Sequence, residues 1–145
     1  MVGLRFFTVF GPWGRPDMLT LKLLDKIKKK EIFQINNFGN HSRDFTYIDD
    51  VINMMVNLFL NYKKIKLFDY FNICSNNPIS LMKVINHIIK STKKTRLQKV
   101  KFQKADVFKT HGSNKKILKI VKHKKFRNIF ESLNNTINWH KKINY

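Results

Sequence analysis

With 43% hydrophobic and 13% aromatic residues, 13 of them Phe, a chain of 145 residues carries enough apolar mass for one packed domain, which excludes a disordered chain. No run of about 18 apolar residues occurs, so no membrane span is expected, and the apolar start Met1–Phe10 is too short for a signal peptide. The single cysteine, Cys74, excludes an internal disulfide and suits a reducing, cytoplasmic setting. The formal net charge of +20 suggests a polyanion surface, but of the 29 basic residues only Arg5, Arg15, Arg43, Arg96 and Arg127 are arginines. A specific nucleic-acid reader draws on the planar arginine fork. The excess of Lys, with abundant Asn and Ile, fits a bias toward adenine- and thymine-rich codons instead, and no specific nucleic-acid partner is expected.

The first element is the apolar, β-branched and aromatic run Val2 to Phe10, which reads as one buried strand. Gly11, Pro12, Gly14 and Pro16 then force a loop. Asp17 is placed to cap a helix whose apolar face is Leu19, Leu21, Leu23, Leu24 and Ile27. Lys28 to Lys30 close it, where positive charge suits the helix dipole. Ile32 to Ile35 reads as a short strand and Asn36 to Ser42 as a polar turn. Asp49 or Asp50 suits an N-cap, followed by a stripe of Val51, Ile52, Met55, Val56 and Phe59. Phe68 to Ile73 is a further strand. Pro78 and Ser80 open a helix through about Lys90, with Leu81, Val84, Ile85, Ile88 and Ile89 inward. Ser91 to Lys101 is basic and weakly patterned, as a surface connection would be. The tail from Ser113 to Tyr145 is mostly helical, with Phe130, Leu133, Ile137 and Trp139 as its apolar positions. Strands alternating with helices predict an α/β or α+β class that is poor in strands.

Three stretches carry more specific information: LRFFTVFGPWGRPDM at 4–18, RDFTYIDD at 43–50, and FNI at 71–73 followed by Pro78. In this order and spacing they resemble the C-terminal half of the extended short-chain dehydrogenase/reductases, the nucleotide-sugar epimerases and dehydratases. The branch most similar is the UDP-glucuronate 4-epimerases. The resemblance spans nearly the whole chain and fades after Thr110, although Glu131 and Trp139 stand where the family's last helix has a Glu and a Trp. It implies the last strands of a Rossmann-type sheet plus a small α+β substrate-binding lobe. It also implies tightly bound NAD, which oxidises C4 of a UDP-sugar and returns the hydride to the other face, and a Tyr–Lys pair that moves the proton.

That machinery is not expected in these 145 residues. There is no GxGxxG to cradle a dinucleotide, so the dinucleotide-binding part is expected to be absent from the chain. Met1 directly before the first strand suggests a separately started reading frame. Tyr62 and Lys66 have the Tyr-x-x-x-Lys spacing, but they follow the Arg43 stretch, whereas the family's pair precedes the strand matched by Leu4 to Val9.

The resemblance assigns substrate contacts residue by residue. Arg43 grips the UDP diphosphate, for which a bidentate guanidinium is suited. Thr8 faces the sugar and phosphate at a strand end. Arg15 pairs a C6 carboxylate, and Asn37, with Asn36, lies near the uridine, where Phe33 or Phe38 offers a stacking face. Asp106 takes the ribose hydroxyls. The chain departs from the family at Ala105 (a Gly), at Gly112–Ser113 (Ala–Asp) and at Cys74 (a Gly). Asp44, Asp49 and Asp50 form an acidic group that the family uses structurally, and the five His show no ligand spacing, so no metal is expected. Three outcomes stay open: a substrate-binding portion completed by a separate NAD-binding chain or a homo-oligomer, an inactive remnant, and a basic polyanion binder.

Overall fold

The computed structural model describes residues 1–93, 95–102, 106–123 and 125–143. The run expected as one strand is two. β1 (Val2–Phe6) pairs in parallel with β5 (Asp69–Ile73), from Val2 opposite Asp69 to Phe6 opposite Ile73. The chain then changes sheet at Phe7, and β2 (Thr8–Phe10) pairs in parallel with β4 (Ser42–Tyr47). Neither is β1 buried: Val2 and Phe6 are 40% and 50% exposed, because β1 has a strand neighbour on one side only among the described residues.

Helix α1 (Leu19–Lys29) buries Leu21, Leu23, Leu24 and Ile27 as its periodicity demands, and its last turn carries Lys26, Lys28 and Lys29. Asp17 does not cap it. Met18 is the N-cap without a side-chain bond, and Asp17 instead pairs with Arg15. β3 (Phe33–Ile35) leads into a 3₁₀ turn at Asn36–Gly39, in which Asn37 and Phe38 take positive φ. β4 was not anticipated as a strand, yet it is the middle strand of the sheet β2-β4-β6.

Helix α2 (Ile48–Leu60) starts after Tyr47, so Asp49 and Asp50 lie in its first turn rather than at the cap. There they still favour the dipole, and they hold Arg127: its Nη2 is 3.1 Å from Asp49, and its backbone N–H donates to Asp50 at 3.0 Å. The buried stripe is Val51, Met54 and Leu58. Ile52, Val56 and Phe59, expected inside, are exposed. Apolar residues surround most of α2, so its own periodicity selects no face; the packing partners Phe71 and Ile73 do.

Pro78 does not open a helix. β6 (Pro78–Ser80) pairs antiparallel with β4, and α3 (Leu81–Ser91) follows with Val84, Ile85 and Ile88 fully buried. The supposed surface connection contains β7 (Leu97–Lys99), which pairs in parallel with β3. The tail holds the short α4 (Lys115–Leu118) and α5 (Ile129–Ile143), separated by described residues that are not helical. The described part of α5 buries Leu133 and Ile137 and leaves Phe130 and Trp139 partly buried against the same core; Tyr145 is outside the described residues.

Two apolar cores result. α1, α3 and α5 pack with β2, β4 and β3 around Leu23, Ile35, Phe45, Val84, Ile85 and Leu133. α2 and α4 close on β5 around Met54, Phe71, Ile73 and Ile117. This mixed α/β arrangement fits the expected fold class of an extended Rossmann-type fragment with a small lobe.

Candidate functional site

The site is built where β4 begins. Arg43 is half-buried, and its Nη1 donates to the carbonyls of Ser42 (2.9 Å) and Phe108 (3.3 Å). These bonds, together with the parallel bridge of Ser42 to Lys109, bring the segment Asp106 to Thr110 alongside β4. Asp106 thereby comes within electrostatic reach of both Arg43 and His41. Burial pulls the Arg43 guanidinium below its ordinary pKa, and the Asp106 carboxylate opposes that shift. Asp106 Oδ2 and His41 Nε2 are buried, and neither has a hydrogen-bond partner among the described residues. Buried polar atoms of native proteins are nearly always paired, so a guanidinium, a carboxylate and an imidazole collected here mark a place for a polar ligand. Two stacked rings, Phe102 and Phe108 with centroids 4.6 Å apart, stand beside it.

The other expected contacts are placed as follows. Thr8 is half-buried at the first position of β2, just past the carboxyl end of β1, and lies opposite Phe45, two residues along β4 from Arg43. Side chains alternate along a strand, so Thr8 and Arg43 share a face of the sheet. Asn37 spends its side chain on its own turn, donating from Nδ2 to the Asn40 carbonyl at 3.1 Å. Phe33 is a core residue at 4% exposure, whereas Phe38 is exposed at φ 53°, and its N–H bonds the Val100 carbonyl. Arg15 is apart from this group in the loop after β2: it is exposed and forms a bidentate pair with Asp17, at 3.1 and 2.6 Å. That pair holds the Asp17 carboxyl below the usual range, first through the hydrogen bond. Ala105 lies outside the described residues.

A cleft of about 760 Å³ opens between Phe45 and Ile79 on one side, Ser75 and Asn77 after β5, and the segment 125–131. Of its two basic members, Lys125 and Arg127, the second was not anticipated as a site residue. It is fixed by Asp49 and lies over the Tyr47 ring at 5.7 Å. The signal for it was nonlocal, because 77 residues separate it from Asp50. A second cavity of about 490 Å³ lies among α1, α3 and α5 and contains none of the expected binding residues.

The residues present do not fit a dinucleotide. The glycine-bearing connection from β2 to α1, Gly11 to Met18, contains Pro12 and Pro16, and α1 leads on to β3 in a different sheet. A parallel βαβ unit with a glycine-lined helix start is therefore not formed there. Among the described residues no group of three or more His, Cys, Asp or Glu could hold a metal ion, and no helix is long and apolar enough to cross a membrane.

The profile of the NAD dependent epimerase/dehydratase family matches residues 1–74. Over 96% of this chain, protein MJ1055 of Methanocaldococcus jannaschii is 37% identical. A UDP-glucuronate 4-epimerase of Thermodesulfobacterium geofontis is 34% identical over 94% of the chain. In both, the chain spans 42% of the relative's length. Among solved structures, UDP-glucuronic acid 4-epimerase of Bacillus cereus, in complex with UDP-glucuronic acid and NAD, superposes with a TM-score of 0.87 at 26% identity. It covers 97% of this chain and 45% of its own.

Proposed function

The chain belongs to the NAD dependent epimerase/dehydratase family, and from that premise we propose that residues 1–145 are the C-terminal, substrate-binding portion of a UDP-sugar 4-epimerase of the UDP-glucuronate type. The observation that carries this reading is the meeting of half-buried Arg43 with Asp106, where Asp106 Oδ2 and His41 Nε2 are buried without a hydrogen-bond partner among the described residues. In it, Arg43 clamps the diphosphate, Asp106 takes the ribose hydroxyls and Phe38 offers a face to the base. Asn37 shapes the turn that presents Phe38. Thr8 faces the sugar, which occupies the cleft bordered by Phe45 and Arg127. Arg15 reaches a C6 carboxylate by exchanging it for Asp17, a like-for-like swap of one carboxylate for another.

The nicotinamide and the catalytic base belong to the dinucleotide-binding half of the family's fold, in this polypeptide or in another. Two features support a joint of that kind. β1 and β5 form a two-stranded parallel sheet with open edges among the described residues, and α2 exposes Ile52, Val56 and Phe59. Parallel sheets are normally covered on both faces.

Thermal unfolding in about 0.15 M salt, which screens bulk charge, tests the site. UDP should raise the midpoint more than ADP or inorganic pyrophosphate at equal concentration, since a ligand that binds only the folded state stabilises it. Arg43→Ala should remove the effect. An equal response to all three anions, unaffected by Arg43→Ala, would leave only bulk charge at work.

A further inference from the structure

We propose that His41 is a further ligand of the substrate diphosphate, meeting it as an imidazolium, so that nucleotide binding takes up a proton. This rests on the UDP-site reading above. His41 immediately precedes β4 and stands two residues before Arg43, near enough for the Arg43 guanidinium and the Asp106 carboxylate both to act on its ring. Its backbone is fixed on both sides. The N–H donates to Gly39 O at 2.8 Å, and the carbonyl accepts from Leu81 N at 2.9 Å, at the start of α3. The ring lies 6.1 Å from that of Phe108. The residue is 7% exposed, and its buried Nε2 has no hydrogen-bond partner among the described residues. An imidazole nitrogen held in place, desolvated and unpaired is costly unless a ligand completes it.

The charged groups acting on it are Arg43 from β4 and Asp106 from the segment packed beside that strand. Lys83 on α3 and Lys109 beside Ser42 are exposed to solvent. Burial first, and Arg43 second, hold His41 below its ordinary pKa, with Asp106 opposing, so the free chain keeps the ring neutral near pH 7. A diphosphate brings two negative charges against one guanidinium. The balance at the ring then reverses, and the protonated form is favoured. The second donor gives the phosphates a grip that Arg43 alone lacks.

Calorimetric titration of the chain with UDP-glucuronate tests this. Its diphosphate is a diester, and the molecule has no group that titrates near neutrality. The titration is run at about pH 7.5, a unit above the ordinary His value, in PIPES and in Tris, whose ionisation enthalpies differ. The apparent enthalpy should differ between the buffers by the amount that uptake of most of a proton requires. His41→Gln and His41→Asn keep a polar side chain without a titrating group. Each should bind about tenfold more weakly, the size of one charge-assisted bond, and lose the buffer dependence. Equal enthalpies in both buffers for the unmodified chain would overturn the proposal, and so would unchanged affinity in either folded variant. If the unmodified chain binds no UDP-glucuronate, or Arg43→Ala binds as well as it does, the site reading fails and His41 with it. If binding needs Arg43 but ignores His41, the site stands and this proposal alone falls.

Discussion

Asp44 ties both cores together through a single carboxylate. Fully buried, it accepts hydrogen bonds from Ser75 N and Oγ (3.1 and 2.7 Å) and from Gly112 N (3.1 Å). Asp44→Ala would strand Gly112 N and Ser75 Oγ and leave Ser75 N with Thr46 Oγ1 alone (3.0 Å), and we expect it to lower unfolding free energy by about 3 kcal/mol in urea titrations. The sequence marks Asp44 only as the neighbour of Arg43, because its partners lie 31 and 68 residues away. Cys74 and Gly112, two positions where the resemblance implies a different residue, also meet in space. A Cβ on Gly112 would come within 2.6 Å of Cys74 Sγ and of the Phe7 ring. Side-chain volume added at Cys74 is thus matched by volume removed at Gly112, as a core kept packed requires. Gly112→Ala should destabilise by about 1–3 kcal/mol, and Cys74→Ala should restore part of that loss in a double-mutant cycle. The Cys74 thiol, pushed up to about 11 mainly by burial, should resist thiol reagents at neutral pH until the protein unfolds. His41 carries a pH signature as well. Its folded-state pKa is depressed, so the unfolded chain binds the extra proton and stability is lost as pH falls below about 6.5. His41→Asn should show a shallower fall in urea midpoint over that window.

At the scale of elements, helices with one apolar stripe were legible, and α1 and α3 bury the faces that their periodicity indicates. α2 was not, since a helix apolar on most sides takes its orientation from its neighbours. Met54→Ala should therefore cost about 2–5 kcal/mol, while Ile52→Ala should fall within about 0.5 kcal/mol of the unmodified chain. The stripe read from sequence would give the reverse order in urea denaturation. Strands of three residues were the other blind spot. β6 and β7 are too short to show alternation, and they exist because β4 and β3 offer them backbone partners. β4 itself was hidden by its polar start, Ser42, Arg43 and Asp44, held by bonds with distant segments through the Ser42 backbone and the Arg43 and Asp44 side chains. The Arg43 stretch was thus legible as a family motif before it was legible as a strand, whereas His41 and Arg127 gave no local signal at all.

At the scale of the whole molecule, a net charge of +20 sets the background against which any anion must be judged. Lysines scattered through every segment should bind DNA weakly, without sequence preference and with a steep loss on added salt. A nucleotide held by Arg43, His41 and Asp106 should instead survive physiological salt, because the groups that hold it are partly buried. The chain spans a little under half the length of its relatives, and among the described residues the β1–β5 sheet has open edges and α2 an exposed apolar face, which on the proposed reading the dinucleotide-binding half would cover. On the proposed reading, substrate binding can then be studied apart from hydride transfer, for which these 145 residues hold no GxGxxG turn.

The most direct test of that separation is titration of the isotopically labelled chain with UDP, followed by amide resonances in about 0.15 M salt. Saturable shifts confined to Asn37–Arg43, Asp106–Thr110 and the strand end at Thr8 are the expected result, and they should vanish in Arg43→Ala. Shifts that follow the lysines across the surface, fail to saturate and ignore Arg43→Ala would contradict the account.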